Sequence, residues 1–147
     1  MGVGGPRGSS TPRQNIAAEC ERVGRPAFVT GCIAMLEGRH VDPALVVALG
    51  GRPARWAIDG GEPGPAYWLR VWAARGLFYV WDDQALSALL SALSDEAWRV
   101  REMAAKVVAR HSLDEVLPLL DRLRSDAVPR VRQAAERAIV RLTDAGP

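Results

Sequence analysis

The chain is poor in the residues that most direct chemistry depends on. It has two cysteines, Cys20 and Cys32, and two histidines, His40 and His111. The cysteines form neither a C-x-x-C unit nor a disulfide framework, so they read as packing residues in a reducing compartment. Neither histidine has a cysteine or histidine at metal-ligand spacing, which excludes a metal site and leaves both as structural or surface residues. The N-terminal "GVGGPRG" misses G-x-G-x-x-G, and both the phosphate-binding G-x-x-x-x-G-K-[ST] loop and a nucleophile elbow are absent. With no catalytic constellation left, the sequence predicts a non-enzyme that carries no cofactor. No segment approaches the roughly 18 consecutive apolar residues of a membrane span. The N-terminal "MGVGGPRGSSTPRQ" has no secretory h-region, so a cytoplasmic protein with no membrane partner is expected. Lysine is nearly missing too: of 19 basic residues only Lys106 is Lys, a bias that reads as genomic composition. The formal charge of +2 is too small to announce a nucleic-acid or membrane protein, and any electrostatic reading must rest on where the charges lie.

What is present suits one helical core. At 147 residues and 48% apolar content the chain can fill a single domain. Residues 1–13, rich in Gly, Ser, Pro and Arg, read as a disordered tail. From Gln14 to Val23 and from Pro26 to Glu37 apolar residues recur at helical spacing (Ile16, Ala17, Cys20, Val23; Phe28, Val29, Cys32, Ile33, Leu36), with Gly24 and Gly38 placed as C-terminal caps. "VDPALVVALGG" supplies Asp42 as N-cap, Pro43 at the first helical position and Gly50 and Gly51 as the stop. The segment "DGGEPGP", Asp59 to Pro65, then reads as a loop.

Beyond that loop the chain repeats itself every 31 residues: "WLRVWAARGLFYV" from Trp68, "RVREMAAKVVARH" from Arg99 and "RVRQAAERAIVRL" from Arg130. In the second segment Val100, Met103, Ala104, Val107, Val108 and His111 mark one helix face. Leu69, Trp72, Ala73, Gly76, Leu77 and Val80 mark it in the first, and Val131, Ala134, Ala135, Ala138, Ile139 and Leu142 in the third. Arg70, Arg101 and Arg132 keep the same register. Between these inner helices lie amphipathic outer ones, "DDQALSALLSAL" and "SLDEVLPLLDRL", the second opened by Ser112 and Glu115 at capping-box spacing. Helix pairs at this period cannot bury their own apolar faces and must stack. The first inner helix is apolar on its other face as well (Val71, Ala74, Phe78), so it is expected to be covered on both sides.

The pattern Asp-x-x-x-x-Val-Arg-x-x-Ala, as Asp95, Val100, Arg101, Ala104 and again as Asp126, Val131, Arg132, Ala135, resembles short HEAT-like repeats over residues 66–142. The tetratricopeptide and ankyrin signatures of similar period do not appear. The resemblance implies an all-α fold, a short right-handed α-solenoid of helix pairs, with residues 14–58 as an N-terminal helical cap. It also implies a hydrogen-bonded Asp/Arg ladder between repeats that gives Arg101 and Arg132 structural roles. Because Gly64 stands where the first turn Asp would be, the implication does not extend to Arg70. Members of the family mostly bind proteins or larger assemblies; some bind nucleic acid and a few are enzymes.

On a helical wheel Arg99, Lys106 and Arg110 share one flank of the second inner helix. Arg130, Arg137 and Arg141 take the same positions in the third, and Trp68, Arg75 and Tyr79 in the first. Stacked, they would form a basic stripe with aromatics at one end. The inner helices carry ten Lys or Arg against Glu102 and Glu136, a net of +8, and the outer segments 82–97 and 112–127 carry eight acids against Arg122 and Arg124, a net of −6. Such a stripe is either a solvated flank or a groove for an anionic partner. Five tryptophans, Trp56, Trp68, Trp72, Trp81 and Trp98, surround the join of the two halves. They read mainly as a packed seam with Trp68 and Trp98 the most exposed, and Asp82 and Asp83 as N-caps. The other reading, an aromatic cleft beside Asp82 or Asp83 holding a flipped base, comes from a resemblance to HEAT-like bacterial alkylpurine DNA glycosylases. Three functions therefore stand: a scaffold for a protein with an acidic surface, a nucleic-acid binder, and such a glycosylase.

Overall fold

The computed structural model describes residues 10–40 and 42–144; residues 1–9 of the expected tail lie outside the described residues. Among the described residues there are nine α-helices and no strand: α1 (Pro12–Val23), α2 (Arg25–Leu36), α3 (Pro43–Gly50), α4 (Trp56–Asp59), α5 (Tyr67–Tyr79), α6 (Leu86–Ala92), α7 (Trp98–His111), α8 (Leu117–Leu123) and α9 (Pro129–Asp144). None is long and apolar enough to cross a membrane. Helix α1 starts two residues earlier than its apolar pattern, because Thr11 and Gln14 satisfy each other's backbone N–H in a reciprocal capping box at 3.1 and 2.9 Å. Asp42 caps α3 by accepting from the Ala44 N–H, and Gly24 and Gly51 end α1 and α3 with positive φ.

The outer helices are shorter than their sequence pattern. Each opens as a 3₁₀ turn, Asp83–Ala85 before α6 and Asp114–Val116 before α8, leaving seven residues of α-helix in each. The capping box expected from Ser112 and Glu115 does not form. Ser112 instead takes the left-handed conformation (φ 52°) to end α7, so its side chain is not placed to cap the Asp114–Val116 turn.

Helices α5, α7 and α9 pack side by side in chain order, with α6 against α7 and α8 against α9; α2 and α3 pack on the far side of α5. One continuous apolar cluster runs from Ile16 in α1 to Ala138 in α9. The four consecutive residues Val71, Trp72, Ala73 and Ala74 are all buried, and four successive positions go most of the way around a helix, so α5 is covered on every side. Contact this close needs two residues without side chains. A Cβ on Gly76 would lie 2.6 Å from Cys32 Sγ and 2.8 Å from Leu49 Cδ2, and one on Gly50 would lie 2.6 Å from Ala54 Cβ and 2.8 Å from the Trp72 ring.

Gly76→Ala therefore sets two effects against each other. Alanine in a helix interior normally gains up to about 1 kcal/mol over glycine, whereas overpacking a full core costs about 1–3 kcal/mol. Both atoms it would strike belong to buried side chains with little room to yield. We expect a net loss of about 1–2 kcal/mol and a melting temperature lower by roughly 2–8 °C. A melting curve by circular dichroism checks it, and a rise would mean that α5 sits loosely on α2 and α3.

Candidate functional site

The turn aspartates and inner-helix arginines make two rungs. Arg70 donates from Nε and Nη2 to Asp95 at 2.7 and 3.1 Å, and Arg101 donates in the same way to Asp126 at 2.8 and 3.1 Å. Arg70 is thus a rung, a role that Gly64 had kept from being assigned to it. Each arginine reaches the aspartate of the following turn, so the residue in its own turn does not decide the pair. The own-turn contact is a separate one: Arg101 Nη1 donates to the Asp95 carbonyl at 2.7 Å and Arg132 Nη1 to the Asp126 carbonyl at 2.6 Å. Each aspartate also fixes its turn by accepting a backbone N–H, from Ala97 at 2.8 Å and from Val128 at 2.9 Å. Burial pushes the Asp126 carboxyl upward. The Arg101 and Val128 hydrogen bonds, with the charges of Arg101 and Arg132, outweigh that and hold it below the usual carboxylate range.

The expected stripe separates into three environments. Arg110, Arg137 and Arg141 are exposed and enter no ion pair among the described residues; Arg110 lies over the Phe78 ring at 5.6 Å. Arg130 and Lys106 converge on Glu102, at 3.0 and 3.8 Å. Arg99 and Arg130 both lie over Trp98, at 4.4 and 5.4 Å from the ring centroid, and Arg99 reaches Trp68 and Tyr67 as well. Trp68 and Trp98, expected to be the most exposed of the five tryptophans, are half-buried, with guanidinium groups over both rings and Tyr67 and Trp72 packed beside Trp68. Tyr79 is exposed at the end of α5. Arg75 departs most from its expected place: half-buried, it donates from Nη1 to the Leu49 carbonyl at 3.0 Å, toward α3. Burial lowers its pKa, offset only by Tyr79. A wheel drawn for one helix shows the spacing of its residues but not which neighbour covers each flank.

The pocket lined by Trp56, Trp68 and Trp72 includes neither Asp82 nor Asp83. Asp82 accepts the Gln84 N–H at 2.9 Å as an N-cap, while Asp83, expected to be another cap, accepts from Trp81 Nε1 at 2.9 Å. Trp81 in turn stacks on His111, whose Nε2 lies 2.8 Å from the Leu77 carbonyl. Because a carbonyl only accepts, that contact selects the tautomer with a proton on Nε2. Burial holds the His111 pKa below its ordinary value. Cys20 and Cys32 are both free thiols, and burial pushes the Cys32 thiol far up, which keeps it protonated. Among the described residues no cluster of His, Cys, Asp and Glu is placed to hold a metal ion.

Sequence reasoning missed Glu102 as a shared acid, although its spacing of four from Lys106 was a usable signal. It also missed an aromatic pocket between α4 and α5. Trp56, Trp68 and Trp72 line this pocket, which has a volume of about 410 Å³ and Arg75 at its wall.

The family model for HEAT repeats matches residues 62–140, more than half of the chain. The chain belongs to the HEAT-repeat family. No curated protein and no solved structure matches it. HEAT repeats are in general protein-interaction scaffolds and are typically not enzymes. In this HEAT segment the two rungs join α5 to the turn before α7 and α7 to the turn before α9, leaving the basic flank of α7 and α9 outside the ladder.

Proposed function

We propose that this HEAT-repeat protein is a non-enzymatic, cytoplasmic scaffold that receives an acidic segment of a partner protein on the flank formed by Arg99, Lys106, Arg110, Arg130, Arg137 and Arg141. The observation that carries the reading is the state of Arg110, Arg137 and Arg141, which are exposed and enter no ion pair among the described residues. Helices α7 and α9 are neighbours, and the 31-residue shift sets Arg110 and Arg141 at equal heights on them. Like charges so arranged add nothing to folding, whereas an extended polyanion can touch several at once. Trp68, Arg75 and Tyr79 stand toward the α5 end. Of these, Trp68 continues the flank through Arg99, while Arg75 faces the pocket.

The test is binding of a fluorescein-labelled decaglutamate peptide at two salt concentrations, beside a 20-base-pair duplex. Arg137→Glu with Arg141→Glu should leave the melting temperature nearly unchanged, because neither enters an ion pair among the described residues, yet weaken the peptide about tenfold or more, the equivalent of about 1.4 kcal/mol. Equal peptide binding by variant and wild type would reduce the flank to a solvated surface. Tighter binding of the duplex, with log K falling steeply in log salt, would favour nucleic acid as the partner.

A further inference from the structure

The pocket between the Arg52–Ala54 turn, α4, the 60–66 loop and α5 is walled by Trp56, Trp68, Trp72, Leu69 and Pro65, and no carboxylate lines it. Its single charged wall residue is Arg75. Only Nη1 of that guanidinium has a partner among the described residues, the Leu49 carbonyl, and Arg75 makes no ion pair there. A guanidinium carries five N–H donors in a planar fork suited to a carboxylate, and one in the wall of a pocket otherwise lined by aromatic and apolar residues suits an anion that brings its own apolar body. At about 410 Å³ the pocket is near the small end of ligand sites, which run about 300–1,000 Å³, and suits one compact group better than an extended ligand. One cation among indole rings does not suit a polyanion, and a neutral ring would leave Arg75 uncompensated.

One wall of the pocket borders the basic flank. Trp68 is a pocket wall and also lies under Arg99, whose guanidinium is 5.4 Å from the ring centroid. A chain running along α7 toward α5 would meet the pocket at its end. We propose that the pocket takes the apolar C-terminal residue of the partner polypeptide, its side chain among Trp56, Trp68 and Trp72 and its terminal carboxylate on Arg75. Capture of a chain end by fixed donors is a recurring mode of peptide recognition. The inference rests on the reading that the protein binds another polypeptide, but it uses a different surface from the exposed arginines.

The probes are N-acetyl-L-phenylalanine, which reproduces an apolar chain end, and its amide, which lacks only the carboxylate. Indole N–H resonances of the ¹⁵N-labelled full chain report each tryptophan. The acid should shift the Trp56, Trp68 and Trp72 signals saturably and leave Trp81 unmoved, with the amide about tenfold weaker, as loss of a charge-assisted hydrogen bond requires. Arg75→Gln should bring the acid down to the level of the amide. No saturable shift, or equal dissociation constants for acid and amide in the wild-type protein, overturns the proposal, and that comparison holds even if the variant fails to fold. The probes carry no acidic segment, so Arg137→Glu with Arg141→Glu should not alter their binding. Loss of decaglutamate binding with the acid's preference intact would count against the flank alone, and the converse against the pocket alone.

Discussion

Asp126→Ala should destabilise the protein by about 3 kcal/mol, the low end of the range for removing one partner of a buried ion pair, and lower the melting temperature by roughly 10 °C. The side chains of Arg101 and Asp126 are 17% and 8% exposed. Removing the carboxylate leaves a mostly buried guanidinium without its counter-charge and the Val128 N–H without its acceptor. The pair Arg124–Asp121 is an internal control, since its side chains are 56% and 70% exposed. Asp121→Ala should therefore cost at most about 1 kcal/mol. Acid supplies a second signature. Because the Asp126 carboxyl is held below its unfolded value, its contribution is fully present above about pH 4 and is lost as the pH falls through the folded pKa. The gap between wild type and Asp126→Ala should stay constant from neutral pH down to about 5 and narrow below 4. A gap no larger than that of Asp121→Ala at neutral pH would show that the rung does not hold the repeats together.

The features that were legible in the sequence are those fixed by period alone. A shift of 31 residues brings Val100 and Val131, Ala104 and Ala135 into equivalent buried positions, and local spacing is enough to see it. The all-round burial of α5 was legible for the same reason, since Val71 and Ala74 are apolar where a solvated flank would be charged. The Arg70 rung was readable in principle: its aspartate lies 25 residues ahead, the same separation as from Arg101 to Asp126. The pocket was not legible. Its walls come from Gly50–Trp56 and from Gly64–Arg75, segments that only the docking of α3 on α5 brings together. The same docking turned Arg75 toward the Leu49 carbonyl. Ser112 misled because a Ser-x-x-Glu spacing looks the same whether the serine begins one helix or ends another. Its left-handed backbone settled the matter, and φ is not written in the spacing.

Expressing residues 64–147 alone should give a fragment that aggregates or folds poorly, the largest effect expected of any change to this chain. Truncation removes α2 and α3 from a helix with no polar face to present in their place. Trp72 would lose Gly50, and the groove at Gly76 would lose Phe28, Cys32 and Leu49 together. Helices α7 and α9 keep their charged flanks and their rungs, so the ladder survives the cut while the cover of α5 does not. The exposed apolar face would exceed the few hundred Å² that soluble monomers usually show. Binding of a hydrophobic dye and concentration-dependent sedimentation report it directly. Supplying residues 1–63 as a separate chain should suppress both signals if α2 and α3 act by covering α5, because burial requires contact and not a covalent link. A fragment that stays monomeric and melts cooperatively by itself would show that the repeats close their own core and that the N-terminal helices serve another purpose.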